Sequence, residues 1–168
     1  MSSLPIRSAY SMWPQYNQRL REVIGAMSDD QVLMIPGPDR WPIWATVGHL
    51  ACQRVFWLCD FAGMPGADNT PFTDAGFNCP GDDYLEPPMT VAELVDGLDT
   101  SFRIVESCLD LWTVDMLDDE LTRAELGPDW VHTRAAVLQR VLTHDIYHCG
   151  ELSQTLGIAG LPQVDPWD

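Results

Sequence analysis

Apolar residues recur at intervals of three and four along four stretches of this sequence, so each stretch reads as a helix with a stripe to bury. The first runs from about Ser8 to Met27, through Ala9, Trp13, Tyr16, Leu20, Val23 and Met27. Pro14 belongs in a first turn and delays the regular start. Ser28 and Gln31 form an S-x-x-Q capping signal for a short turn beyond it. After the breaker PGPDRWP, a second helix spans roughly Pro42 to Phe61. It is apolar around most of its circumference: Val47, Ala51, Val55 and Leu58 make one face, and Ala45, Cys52, Phe56 and Cys59 another, beside His49. Two such faces predict one side against the bundle and a second available to a partner subunit.

The third helix opens at Thr90, with Glu93 completing a T-x-x-E box. It continues through Val91, Val95, Leu98, Phe102, Val105, Leu109 and Trp112. The fourth runs from about Thr133 to Leu156, with Gly157 placed to end it and the tail LPQVDPWD extended or turned. The link Gly63 to Pro88 is rich in Gly, Pro, Asp and Asn and has neither helical nor strand periodicity. A link this long inside a compact chain is commonly functional, and it frees helices two and three from running antiparallel. A second link, Thr113 to His132, contains Gly127-Pro128. The expected fold is all-α, a four-helix bundle in a single domain over residues 1–168.

Charge narrows the partners. Nine basic residues, all arginine, face 25 acidic ones, for a net charge of −16. That balance disfavours phosphate backbones and anionic lipid, so neither nucleic acid nor a membrane is expected. No apolar run approaches the ~20 residues of a membrane helix, and MSSLPIRSAYSMW lacks the pattern of a signal peptide. Five cysteines without a C-x-x-C pair suit a reducing compartment, so the expected location is cytoplasmic.

The chemistry concentrates in HDIYH. His144 and His148 stand four apart on helix four, so both rings leave one face, about one turn from each other. That spacing lets two imidazoles share an ion. A third ligand is needed, and His49, in WATVGHLACQRVFW, is the candidate. A neutral imidazole in such apolar surroundings needs partners for its nitrogens. Read alone, the i, i+4 pair is weak evidence for a metal and His49 is more often a hydrogen-bonded core histidine than a ligand; His132 is expected to be exposed in a loop. Cys52 and Cys149 are near enough in sequence to approach the site, although both fit as buried thiols. Glu151 is expected to orient an imidazole first, to act as a fourth ligand second, and to be solvated third. HDIYH differs from the HExxH of zinc proteases in carrying Asp145, whose shorter arm reaches a bound water less easily. Pocket walls are expected from the long link and from Trp41, Phe56 and Tyr147.

The order of motifs, RWPIWATVGHLA, then a long link and a helix, then HDIYHCGELSQTLGIAGLP, resembles the DinB-like (DinB/YfiT) superfamily of metal-dependent four-helix-bundle proteins. The histidine of GHLA together with H-D-x-x-H-x-G carries the resemblance. It implies an up-down-down-up bundle, a divalent-metal site of His49, His144 and His148, and frequent homodimers. It further implies an activity of thiol S-transferase or hydrolase type, with a low-molecular-weight thiol and a small electrophilic substrate as partners. Cys149 stands where the family often has arginine, and Glu151 where it often has glutamine; Glu151 is thus a candidate base as well as an orienting group. Zinc is the first expected ion, with nickel, iron and manganese also suited to imidazole. The alternative is a non-catalytic metal-binding stress-response or interaction protein.

Overall fold

The computed structural model describes residues 4–165. It is mostly helical, with five α-helices and one two-stranded sheet. A 3-10 turn at Ile6–Tyr10 precedes α1, Trp13–Gly25, whose second residue is Pro14. The short α2, Asp29–Val32, begins at Ser28, whose hydroxyl and Gln31 complete the reciprocal cap. α3, Ile43–Val55, continues as a π-helical stretch over Phe56–Phe61. α4, Val91–Leu111, starts at the Thr90–Glu93 capping box. α5, Arg134–Ile158, starts where Thr133 accepts from the Ala136 N–H. The last three residues of the tail lie outside the described residues.

Four of these helices bury their stripes in one core. α3 packs between α4 and α5, and α1 packs on α4. Leu20, Ile24, Val47, Leu50, Leu98 and Leu138 are among the side chains sealed inside. α3 is buried along nearly its whole length, but a partner subunit is not what covers its second face. The chain's own long link does so, setting Phe72, Ala75 and Cys79 into the core. The link can approach because two helical positions lack a Cβ. One added at Gly48 would meet Pro80 at 3.0 Å, and one at Gly97 would meet Phe72 at 3.0 Å.

Three sequence expectations change. The second link contains an antiparallel hairpin, β1 (Glu120–Thr122) with β2 (Val131–Thr133). His132 sits on β2, half-buried against the rings of Trp57, Phe61 and Trp130. Gly157 does not end the last helix, which runs on to Ile158 with Gly160 taking the left-handed conformation just beyond. Gly157 instead leaves room for the Gln163 side chain of the returning tail.

One buried ion pair joins all four long helices. Arg54 of α3 is 1% exposed and Asp145 of α5 is 5% exposed. The guanidinium grips the carboxylate through Nε at 3.0 Å and Nη2 at 2.8 Å. The Trp13 indole N–H of α1 donates to the same carboxylate at 2.9 Å. Arg54 Nη1 donates to Asn17 Oδ1 at 2.8 Å and to the Leu98 carbonyl and Ser101 hydroxyl of α4 at 3.4 Å. Phe102 lies under the guanidinium, 5.2 Å from it. Such a pair is costly to break because the surviving partner keeps its desolvation cost without its counter-charge. Asp145→Leu or Arg54→Met should therefore lower unfolding free energy by about 3–5 kcal/mol in urea titrations, and the double variant carrying both should cost clearly less than the sum of the two.

Candidate metal centre

His49 leaves α3 toward α5, and His144 and His148 leave one side of α5 toward α3. The structure brings all three together. His144 Nε2 lies 3.1 Å from His49 Nε2 and 3.2 Å from His148 Nε2. The three ligand-capable atoms fall within 4.8 Å of one another, with His49 and His148 buried and His144 half-buried. Among the described residues this is the group of histidine, cysteine and acidic side chains able to share an ion.

The hydrogen bonds on the far sides of the rings decide what those nitrogens can do. His148 Nδ1 donates to Glu151 Oε2 at 3.0 Å. His49 Nδ1 faces Asp82 Oδ2 at 3.5 Å and Cys79 Sγ at 3.7 Å, and it is also hydrogen-bonded at the Pro80 backbone. With protons on those two Nδ1 atoms, the Nε2 atoms of neutral His49 and His148 carry only lone pairs. His144 Nε2 has at most one proton to place between them. The cluster is therefore short of positive charge at its centre. Two nitrogens bound to one tetrahedral ion at about 2.0–2.1 Å would stand about 3.3 Å apart, close to the separations found here, so the residues fit a divalent ion.

The surroundings keep two of the rings neutral. Burial, followed by the neighbouring histidines and arginines, pushes the His144 pKa down to about 3. Burial also lowers that of His148, against the pull of Glu151. His49 goes the other way. Burial works to lower its pKa, but the Cys79 hydrogen bond, the charges of Cys79 and Asp82, and the Pro80 backbone together raise it.

The remaining sequence candidates separate. Glu151 meets His148 through Oε2 and Arg40 Nη1 through Oε1, the latter at 3.3 Å. Asp145 turns away from the cluster to Arg54. Cys52 points to the link and donates to the Ala75 carbonyl. Cys149 lines an apolar cavity of about 390 Å³ on the α1 side, with Trp13, Leu142 and Ile146. A cavity of about 220 Å³ opens beside His148 and Glu151, walled by Arg40, Trp41, Thr46 and Tyr147. Trp41 and Tyr147 are thus in place, and their rings lie 4.9 Å from His49 and 5.0 Å from His148 respectively. Phe56 is not: it lines a separate cleft with Asp60 and Arg123. The walls come from the loop before α3 and from α3 and α5 themselves, whereas the long link stands behind His49. Sequence reasoning missed Cys79 and Asp82 on His49 and Arg40 on Glu151, since these partners come from loops without periodicity.

A model of the DinB superfamily matches residues 15–152, a span that includes all three histidines. The chain belongs to the DinB superfamily. Two solved structures share the fold. A DinB-like protein from Bacillus cereus ATCC 10987 is 15% identical, with 98% of each chain covered and a TM-score of 0.66. A conserved protein from Enterococcus faecalis is 16% identical, with 92% of this chain and 96% of that chain covered and a TM-score of 0.62. No curated protein matches the chain. No helix among the described residues is long and apolar enough to cross a membrane.

Ligation requires neutral imidazoles, so metal binding competes with protons. His49, with its raised pKa, protonates first as pH falls from above the ordinary histidine value of about 6.5. His144 and His148 remain neutral through that range. Chelator-competition titrations should show apparent metal affinity falling by about one order of magnitude per pH unit as pH drops through the His49 transition. A slope near three would mean that all three rings protonate together.

Proposed function

We propose that this DinB-superfamily chain is a metal-dependent enzyme of thiol S-transferase or hydrolase type, with His49, His144 and His148 holding one divalent ion, zinc first. The observation that carries this reading is the meeting of three imidazole nitrogens around a point where at least one lone-pair contact has no proton to relieve it. A divalent ion held there supplies Lewis acidity, lowering the pKa of a water or thiol so that it becomes a nucleophile near neutral pH.

The chain's own groups support an open site rather than a closed one. Glu151 and Cys52, the two side chains best placed in sequence to complete a shell, are both committed elsewhere. Glu151 keeps the His148 Nε2 lone pair turned inward by accepting the proton on Nδ1. With its other oxygen on Arg40, it is better suited to orienting His148 than to serving as a base. Asp82 and Cys79 do the same for His49. The adjacent cavity, walled by Trp41 and Tyr147 with one guanidinium at its rim, is of a size for a small electrophile. An up-down-down-up order of the four long helices and a cytoplasmic setting go with this reading.

Purified protein should carry close to one divalent ion per chain by elemental analysis. His144→Ala should lose most of it while far-ultraviolet circular dichroism stays helical; unchanged metal content in that variant would defeat the assignment. Glu151→Ala should keep the site but weaken zinc binding by about 10–100-fold. Zinc-loaded protein should consume a thiol or hydrolyse an electrophile in a broad substrate panel. Full metal occupancy with no turnover would favour a non-catalytic metal-binding protein.

A further inference from the structure

α1 packs on α4 and α5 packs on α3. Between α1 and α5 lies the apolar cavity of about 390 Å³, which shares no lining residue with the cavity beside His148. α1 presents Trp13, Tyr16 and Leu20 to it, at i, i+3 and i+7, and α5 presents Leu142, Ile146 and Cys149, at i, i+4 and i+7. Each set is one helical face. The cavity runs from the surface into the core: Ile146 at its mouth is 54% exposed, and Trp13 at its inner end is 2% exposed. Gly150 also borders the mouth, and a Cβ added there would meet nothing within 4 Å.

The inner end is polar but balanced in charge. Arg54 and Asp145 both line the cavity and are paired with each other. Burial pushes the Cys149 thiol up to about 12, so it too is uncharged near neutral pH. One polar group there has capacity left. Asn17 lines the cavity and is 7% exposed. A guanidinium only donates, so the atom of Asn17 that meets Arg54 Nη1 at 2.8 Å is the amide oxygen, and the amide NH2 occupies the other branch. Among the described residues that NH2 meets no acceptor, and no sealed side-chain nitrogen or oxygen lacks a partner. The NH2 is therefore accessible, and the open space beside Asn17 is the cavity.

We propose that this cavity is a small-molecule site for an uncharged two-ring aromatic carbonyl compound, its rings held between α1 and α5 and its oxygen accepting from the Asn17 NH2. Size, charge and hydrogen bonding each select part of that description. A dry cavity of about 150 Å³ holds one benzene ring, so about 390 Å³ has room for two fused rings. The volume also falls in the range of about 300–1,000 Å³ usual for ligand pockets lined by apolar groups with a few polar ones. An ion entering would lose its hydration and find no free counter-charge, since Arg54 and Asp145 are committed to each other. A hydrocarbon would leave the Asn17 NH2 covered and unpaired, whereas a carbonyl oxygen satisfies it. The flat walls of Trp13 and Tyr16 suit aromatic rings. The site stands apart from the three histidines and does not rest on the metal reading.

The test titrates methyl naphthyl ketone into the full chain by calorimetry, with and without zinc. Ethylnaphthalene, which lacks the acceptor, and naphthoate, which is charged, are the comparisons. The ketone should bind one per chain at sub-millimolar concentration, about tenfold more tightly than ethylnaphthalene, and naphthoate should not bind measurably. Zinc-loaded and metal-free protein should bind the ketone alike, so a chain that takes up no zinc leaves this result standing. Nuclear Overhauser contacts should join the ketone's ring protons to the Leu142 and Ile146 methyl groups. Asn17→Asp keeps an acceptor for Arg54 but replaces the NH2 with a second oxygen, and it should abolish the preference for the ketone. Cys149→Phe, which puts a ring into the cavity, should prevent binding while circular dichroism stays helical. The proposal is overturned by the absence of saturable binding, by contacts to Trp41 and Tyr147 instead, or by naphthoate binding as tightly as the ketone. Equal affinity for ketone and hydrocarbon, or an unchanged preference in Asn17→Asp, would also overturn it.

Discussion

The arrangement depends on a single pair of charges removed from water. Arg54 and Asp145 lie at the centre of the bundle, and each is tolerable there only in the presence of the other. Their hydrogen bonds reach α1 through Trp13 and Asn17 and α4 through Leu98 and Ser101. Any slide of one helix along another would strand a buried charge, so the pair acts as a register pin where apolar side chains alone would tolerate repacking. Arg54 follows His49 by five residues on α3, and Asp145 directly follows His144 on α5. Fixing the ion pair therefore also fixes how far the His49 ring stands from the other two. Because successive helical residues turn by about 100°, Asp145 faces the core while His144 and His148 face the cluster.

That cluster combines apolar surroundings with an excess of lone pairs. Burial keeps His144 and His148 neutral, and Glu151 and the Asp82–Cys79–Pro80 group set the proton positions on the two outer rings. A positive centre is what the three nitrogens lack. The wider chain, at −16, adds a field that draws cations rather than anions. The long link contributes from behind, since it seals the second face of α3 and supplies partners to His49. The pocket mouth is made by the shorter loop before α3.

Much of this is local and therefore legible in sequence. The capping boxes at Ser28 and Thr90 announce helix starts because they satisfy the helix's own first N–H groups. The i, i+4 spacing of His144 and His148 puts both rings on one side of α5 whatever the helix packs against. The hairpin of β1 and β2 is not legible, since two three-residue strands leave no room for alternation to show. His132 looks like a loop residue until Trp57, Phe61 and Trp130 close around it. Gly157 has the signature of a helix end, yet it serves a tertiary contact with Gln163. The apolar wrap of α3 correctly signals two buried faces, but composition does not say whether a partner or the same chain covers the second.

The sequence by itself determined which segments are helical, which side each helix buries, and which side chains can offer nitrogen to an ion, because those follow from periods and caps within a few residues. Only the tertiary structure decided that residue 49 meets residues 144 and 148, that Asp145 serves the fold through Arg54, and that the link lays Cys79 and Asp82 against His49. Those contacts join positions from about 30 to 99 residues apart. No local pattern encodes such distances; they are set when the buried charges and the core fix the helices against each other.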